Sequence, residues 1–131
     1  LVDFEALLAQ SDYVTVHSPL TDETRGLFDA DAFAAMKDTA VLVNASRGPI
    51  VDTDALVDAL DAGELAGAGI DVYPEEPPAE DDPLRGHDRV VATPHVAYYS
   101  EEADVERREQ AIENVRAALD GERPPFALND I

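Results

Sequence analysis

The chain has 131 residues, of which 45% are hydrophobic and none is cysteine. This composition indicates one globular domain or a piece of one, and it excludes disulfides, thiol nucleophiles and thiolate metal sites, so we assign no metal ligand. The 29 acidic residues outnumber the 9 basic ones and give a net charge of −20. That balance argues against nucleic acid and anionic membranes as partners, because phosphate binding needs clustered Lys and Arg.

Helical and strand patterns alternate along the chain. An amphipathic helix is predicted over residues 1–10, and a strand over 13–17. The next predicted elements are a helix opened by Asp29 or Asp31 and running to Met36, a strand over 40–44, a helix capped by Asp52 and stopped by Gly63, and strands over 66–72 and 89–93. A proline-rich polar loop separates the last two strands. The longest helix then runs from Ser100 to Leu119, with a tail over 123–131.

These elements predict an α/β fold. Short apolar strands separated by helices are typical of a parallel sheet with helices on both faces. The sequence begins in a helix, offers four strands and contains no G-x-G-x-x-G turn. We therefore expect the C-terminal half of a doubly wound, Rossmann-like sheet, with the glycine-rich half outside this chain.

Three chemically distinct residues follow three of the predicted strands. Arg47 comes after the second strand, Glu76 after the third and His95 after the fourth. In open α/β sheets the site lies beyond the carboxyl ends of the strands, so we expect the three to converge. Taken singly, each is more readily explained as a surface or loop residue, and only the convergence raises a functional role to equal standing. His17 and His87 lack such neighbours and are assigned structural or surface roles.

The three residue types suit the reduction of a 2-oxo acid. A guanidinium offers a planar fork matched to a carboxylate. An imidazole can donate a proton to a carbonyl oxygen, and a neighbouring carboxylate favours the protonated imidazole. The trio could therefore bind the substrate, protonate it and leave hydride transfer to a cofactor.

Three ordered motifs resemble a known family. N-A-S-R-G-P-I-V-D, G-I-D-V-Y-P-E-E-P and T-P-H are similar, in order and spacing, to the signature segments of the D-isomer-specific 2-hydroxyacid dehydrogenases. The likeness extends from S-D-Y-V-T-V-H-S-P-L near the start to G-E-R-P-P near the end. It therefore covers nearly the whole chain.

The resemblance implies roles for single residues. In that family the arginine of the R-G segment binds the substrate carboxylate, the glutamate before proline supports the histidine, and the histidine of P-H is the acid/base. Carried over, these are Arg47, Glu76 and His95. Asp71 would lie against the nicotinamide carboxamide. The other implied cofactor or substrate contacts are Ser18, Ala45, Ser46 and the segment from His95 to Tyr98.

The sequence departs from the family pattern at two places. Pro49 stands where the family commonly has a second glycine, which removes a backbone N–H there. The segment H-V-A-Y-Y-S-E-E looks less like phosphoglycerate dehydrogenase, the broader likeness, than like the branch containing the C-terminal binding protein corepressors. In that branch an aromatic residue at the place of Tyr98 faces the substrate. An NAD(H)-sensing scaffold without significant catalysis is therefore the alternative to an enzyme.

The resemblance also implies how the whole protein is organised. Residues 1–99 would form part of an NAD(P)-binding domain, and residues 100–131 would return to a substrate domain mostly absent from this chain. We expect NAD or NADP as cofactor, a small 2-oxo or 2-hydroxy acid as substrate, and a homodimer at full length. This chain alone is expected to be inactive.

The charge and hydropathy predict the setting in which the protein works. The acidic residues are spread along the sequence, and the single lysine is Lys37. A uniformly acidic, lysine-poor surface is similar to that of proteins from salt-loving archaea, where salt screens the self-repulsion. No signal peptide opens the sequence and no apolar stretch could span a bilayer, so we expect a cytoplasmic protein.

Overall fold

The first part of the chain forms a parallel sheet flanked by helices. In a computed structural model that describes residues 1–128, the strands are β1 (Tyr13–Val16), β2 (Val41–Asn44), β3 (Gly67–Ile70) and β4 (Val90–Ala92). The α-helices are α1 (Phe4–Gln10), α2 (Ala30–Ala35), α3 (Thr53–Ala62) and α4 (Glu101–Leu119). The strand order is β1-β2-β3-β4, and each neighbouring pair is parallel. This arrangement confirms the predicted fold class.

Each α-helix begins at a polar cap that the sequence supplies. The carboxylates of Asp3, Asp29 and Asp52 accept hydrogen bonds from main-chain N–H groups of the first turns, at 2.8, 3.0 and 3.1 Å. Of the two candidate caps for α2, Asp29 is therefore the one used. Gly63 ends α3 at a φ of +75°, a left-handed conformation that glycine adopts without steric cost.

The core lies on one face of the sheet. The register aligns Val14 with Leu42 and Ala68, and all three are buried. Buried side chains of α1, α2 and α3 complete the same cluster, among them Leu8 and Phe33. The other face carries Tyr13, which is 76% exposed, and Val91, which is 72% exposed. Within residues 1–97 these helices thus cover one face, and coverage of the other stays a prediction.

The predicted element boundaries were wrong by one to three residues, and the largest difference is at α1, which begins at Phe4 where the prediction began at Leu1. Every strand is shorter than predicted. At the start of β2 the reason is a turn, in which the Ala40 N–H donates to the Lys37 carbonyl at 2.9 Å. A 3₁₀-helix over Gly48–Ile50 was not predicted. Pro49 lies inside this helix, in the first positions where a missing N–H costs least.

The chain divides into two compact units, Leu1–Ala97 and a second that begins at Tyr98. In the second unit, the Ser100 hydroxyl caps α4 by accepting from the Ala103 N–H at 3.0 Å. The apolar side chains of Ile112 and Leu119 on α4 are 68% and 83% exposed. Positions 129–131 of the predicted tail lie outside the described residues. Over residues 1–128, no helix has both the length and the apolar character needed to cross a membrane.

Candidate active site

Arg47, Glu76 and His95 lie beyond the carboxyl ends of three adjacent strands. They follow β2, β3 and β4, whose parallel pairing brings those ends to one edge of the sheet. Glu76 and His95 are in direct contact, with Oε2 and Nδ1 2.7 Å apart. Arg47 comes from the neighbouring strand end, and no hydrogen bond or salt bridge joins its side chain to either of them in residues 1–128. Of the three residues predicted to converge, the structure thus brings Glu76 and His95 into contact and places Arg47 at the end of the adjacent strand.

The Glu76 carboxylate fixes the orientation of the His95 ring. Its second oxygen, Oε1, accepts the Tyr73 main-chain N–H at 3.0 Å. The hydrogen bonds from His95 and Tyr73 hold the pKa of Glu76 below its ordinary value. An ionised carboxylate only accepts hydrogen bonds, so Nδ1 of His95 must be the donor. This tautomer leaves Nε2 as the ring atom that can exchange a proton with another molecule.

Asp71 anchors the main chain around His95. The Asp71 carbonyl accepts the His95 N–H at 2.8 Å. Its carboxylate accepts the Val96 and Ala97 N–H groups, both at 2.9 Å, and the Thr93 hydroxyl at 2.5 Å. Burial alone would raise the pKa of Asp71, but these bonds and the nearby His95 outweigh it and lower that pKa. His95 is held at a φ of +55°, which is uncommon for a residue other than glycine.

Arg47 is exposed at the end of β2. Its guanidinium donates to the Ser46 carbonyl at 2.6 Å, and no salt bridge involves it in the part of the chain that the structure describes. The turn that carries Arg47 is closed by Asn44, whose Nδ2 donates to the Arg47 carbonyl at 3.0 Å. A guanidinium presented in this way is available to a ligand carboxylate.

Gly48 brings the Arg47 turn against the segment that leads to Glu76. A Cβ atom added to Gly48 would lie 2.0 Å from the carbonyl carbon of Tyr73 and 2.4 Å from the nitrogen of Pro74. Both are main-chain atoms and cannot rotate away. Only glycine allows this close approach. In the R-G pair, Arg47 therefore supplies the guanidinium and Gly48 sets the position of the turn that carries it.

The other predicted contact residues lie in different surroundings. The Ser18 carbonyl accepts the Ser46 hydroxyl at 2.5 Å, so these two cofactor candidates are adjacent, and Ala45 is exposed. Tyr98 belongs to the second unit, where the Arg107 guanidinium lies 5.4 Å from its ring centre. Its place relative to His95 stays a prediction.

Comparison with known proteins assigns the family. Residues 1–97 match the model of the D-isomer specific 2-hydroxyacid dehydrogenase, NAD binding domain. The chain belongs to the D-isomer-specific 2-hydroxyacid dehydrogenase family. It is 46% identical over 127 residues to a glyoxylate reductase of Thermofilum pendens, covering 97% of this chain and 38% of that protein. It is 52% identical over 105 residues to a D-3-phosphoglycerate dehydrogenase of Archaeoglobus fulgidus, covering 80% and 20%.

Solved structures of 2-hydroxyacid dehydrogenases share the fold. The D-lactate dehydrogenase of Lactobacillus jensenii, solved with NAD⁺, superimposes with a TM-score of 0.89 at 33% identity, over 98% of this chain and 43% of that one. The chain thus spans less than half the length of these relatives. The family resemblance and the expectation of a nicotinamide cofactor are confirmed, whereas the closer likeness to the corepressor branch stays a prediction.

The residues present fit the nicotinamide end of such a cofactor. Oδ2 of Asp71 accepts one hydrogen bond, from Ala97, and a carboxylate oxygen can accept a second from a carboxamide N–H. The sequence holds no glycine-rich turn for the pyrophosphate. In residues 1–128, no group of three or more His, Asp or Glu side chains could hold a metal ion.

Sequence reasoning missed two residues of this candidate site, Asn44 and Thr93. Asn44 ends an apolar strand and is 1% exposed; Thr93 opens the T-P-H motif and binds Asp71. A signal for Asn44 was available, because a polar residue at the end of a buried strand must find hydrogen-bond partners. His87 fits its assigned structural role, since its Nδ1 accepts the Arg89 N–H at 3.1 Å.

Proposed function

We propose that the complete protein is an NAD(P)-dependent oxidoreductase that interconverts 2-oxo acids and D-2-hydroxy acids. The observation that carries the proposal is the 2.7 Å contact between Glu76 and His95. Arg47 is exposed at the end of β2, and β2 pairs with β3, the strand that Glu76 follows. The names of the relatives support the substrate class, since glyoxylate, 3-phosphoglycerate and lactate are 2-oxo or 2-hydroxy acids. The chain covers only 38% of the glyoxylate reductase, so the activity is proposed for the whole protein.

Each residue of the trio performs one task. Arg47 binds the substrate carboxylate through its two-pronged fork, which orients the 2-oxo group. His95 donates its Nε2 proton to the carbonyl oxygen as that oxygen gains charge, and takes the proton back in the reverse reaction. Glu76 accepts from Nδ1, which orients the ring and leaves Nε2 free for the substrate.

The bound cofactor supplies the hydride that reduces the carbonyl carbon. Asp71 and the residues Ser18, Ala45 and Ser46 are proposed to contact it, as the family resemblance implies. Tyr98 is proposed to face the substrate side chain. α4 and the tail are proposed to return to a substrate domain, where the exposed Ile112 and Leu119 would be covered. The complete protein is proposed to act as a homodimer in the cytoplasm. This chain alone is proposed to be inactive.

The proposal is tested with the full-length protein. The substrates are aliphatic, aromatic and phosphorylated 2-oxo acids, each assayed with NADH and NADPH in molar potassium chloride, and the matched control is His95→Ala. We expect turnover with at least one acid, a D product, and loss of that turnover in the control. Tight cofactor binding without turnover would favour the NAD(H)-sensing scaffold, and absence of cofactor binding would exclude both functions.

A further inference from the structure

Two buried polar side chains lie at the ends of neighbouring strands, next to the candidate site. In the described part of the chain, Asn44 (1% exposed) and Asp71 (5% exposed) are the buried polar or charged residues. They are joined directly, because the Asp71 N–H donates to the Asn44 carbonyl at 3.0 Å. A buried polar group needs partners. The partners that these two find are the main chains that carry Arg47 and His95.

Asn44 uses both ends of its amide on the Arg47 turn. Its Nδ2 donates to the Arg47 carbonyl at 3.0 Å, and its Oδ1 accepts the Ser46 N–H at 3.1 Å. The amide thereby bridges the residues on both sides of the Ser46–Arg47 peptide bond. The guanidinium of Arg47 consequently leaves the main chain from a fixed point, although the side chain itself is exposed.

Asp71 and Thr93 perform the corresponding task for His95. The N–H groups of His95, Val96 and Ala97 are consecutive, and all three donate to Asp71. The Thr93 hydroxyl donates to the same carboxylate and so fixes the chain on the other side of His95. A non-glycine residue at a φ of +55° persists only where its surroundings impose that conformation. The hydrogen bonds to Asp71 impose it and aim the ring at Glu76.

We propose that Asn44 and Asp71 are the positioning residues of this site, Asn44 acting through Arg47, and Asp71, together with Thr93, acting through His95. The inference rests on the proposed function, in which Arg47 binds the substrate and His95 donates the proton. Because different residues position Arg47 and His95, changes to them should affect different kinetic constants. Loss of the Asn44 support weakens substrate binding, whereas loss of the Thr93 support slows turnover.

The His95 arm is tested in the full-length protein with Thr93→Val, which has the same shape but no hydroxyl, and with Thr93→Ser, which keeps the hydroxyl. We expect kcat to fall about tenfold in Thr93→Val with KM little changed, because a lost hydrogen bond and a small misplacement of a catalytic group have effects of that size. Thr93→Ser should restore kcat. Equal kcat in the Thr93→Val and wild-type proteins would overturn this arm.

A second readout needs no substrate. The proton on Nδ1 of His95, hydrogen-bonded to Glu76, should give a downfield NMR signal that His95→Ala removes. We expect that signal to weaken in Thr93→Val and to return in Thr93→Ser. If the wild-type protein reduces no 2-oxo acid, the proposed function fails, but this signal still decides whether Thr93 and Asp71 position the ring. An identical signal in all three Thr93 forms would refute positioning.

The Arg47 arm is tested with Asn44→Asp and Asn44→Leu. Both remove the donor to the Arg47 carbonyl, and Asn44→Asp keeps an acceptor for the Ser46 N–H, so it is the variant more able to fold. We expect either variant to bind oxamate, an unreactive analogue of a 2-oxo acid, about tenfold more weakly by calorimetry. The titration is made with saturating cofactor, because Asn44 also holds Ser46, a proposed cofactor contact. The His95 proton signal should stay unchanged. Unchanged oxamate affinity, or loss of that signal together with oxamate binding, would show that Asn44 does not act through Arg47.

Discussion

Replacement of Gly48 by alanine tests whether the R-G pair positions the guanidinium. The added Cβ atom would lie 2.0 Å from the Tyr73 carbonyl carbon, 2.2 Å from its oxygen and 2.4 Å from the Pro74 nitrogen. Ordinary contact begins near 3.4 Å, so the two main chains must separate by about 1.4 Å. Overpacking a well-packed region typically costs ~1–3 kcal/mol, and main-chain neighbours favour the upper end of that range.

The change should also reach the chemistry. Separating the two segments moves Arg47 away from the segment that carries Glu76, and therefore from His95, which contacts Glu76. A misplacement of about 1 Å can cost ~10²-fold in rate. We therefore expect Gly48→Ala to lower kcat/KM for the preferred 2-oxo acid far more than its loss of stability explains, at a temperature where the variant is fully folded.

The assay compares urea unfolding and steady-state kinetics of the full-length protein with those of a matched control. Gly86→Ala is that control, because a Cβ at Gly86 meets nothing within 4 Å, and an exposed substitution of this kind changes stability by about 0.5 kcal/mol or less. If Gly48→Ala resembled Gly86→Ala in both measurements, the close approach would have no functional role.

Five further outcomes are expected. Glu76→Gln should lower kcat, because an amide can also donate to Nδ1 of His95 and no longer fixes the ring tautomer; an unchanged kcat would show that Glu76 is only a loop residue. His95→Ala should cut kcat ~10²–10⁴-fold at every pH with cofactor binding retained, and Arg47→Lys should mainly raise KM, both measured by steady-state kinetics. The pKa values of Glu76 and Asp71 are lowered in the folded state, so their ionised carboxylates stabilise the fold above pH ~4, and this contribution is lost as the pH falls through the lowered values. Urea unfolding at several pH values should show the loss. Asp71→Asn should make the pH dependence smaller. The melting temperature should rise towards molar potassium chloride, where the screening length is about 3 Å, and a fall would remove the halophilic interpretation.

Local signals made much of the fold predictable. Asp52 and Gly63 mark the two ends of α3 because a capping carboxylate and a left-handed glycine act within their own turn. The strand-end positions of Arg47 and His95 followed from the apolar runs before them. These features depend on neighbouring residues in the sequence, which is why the sequence alone was sufficient.

The features that the sequence did not reveal depend on distant partners. No residue near Gly48 in the sequence indicates that its Cα lies against the main chain of Tyr73, 25 residues further along. The left-handed conformation of His95 is imposed by Asp71, and Thr93 is recruited to the same carboxylate. The 3₁₀-helix over Gly48–Ile50 was hidden because Pro49 suggests a break in the chain as readily as a short helix. All three depend on residues distant in the sequence: Tyr73 for Gly48, Asp71 for His95, and the N–H groups of Gly26 and Phe28, which donate to the carbonyls of Pro49 and Ile50, for the 3₁₀-helix.

The outer position of β1 has a consequence for handling the chain in solution. In residues 1–128, β1 pairs on one side only, with β2, so its other side presents main-chain N–H and C=O groups that another strand could bind. A net charge of −20 keeps copies of the chain apart at low ionic strength. Molar salt removes that repulsion over all but the shortest distances. If salt favours the folded state as predicted, it also permits edge-to-edge association when this chain is handled without the rest of the protein. The colloidal and conformational stabilities of this chain should then respond to salt in opposite directions.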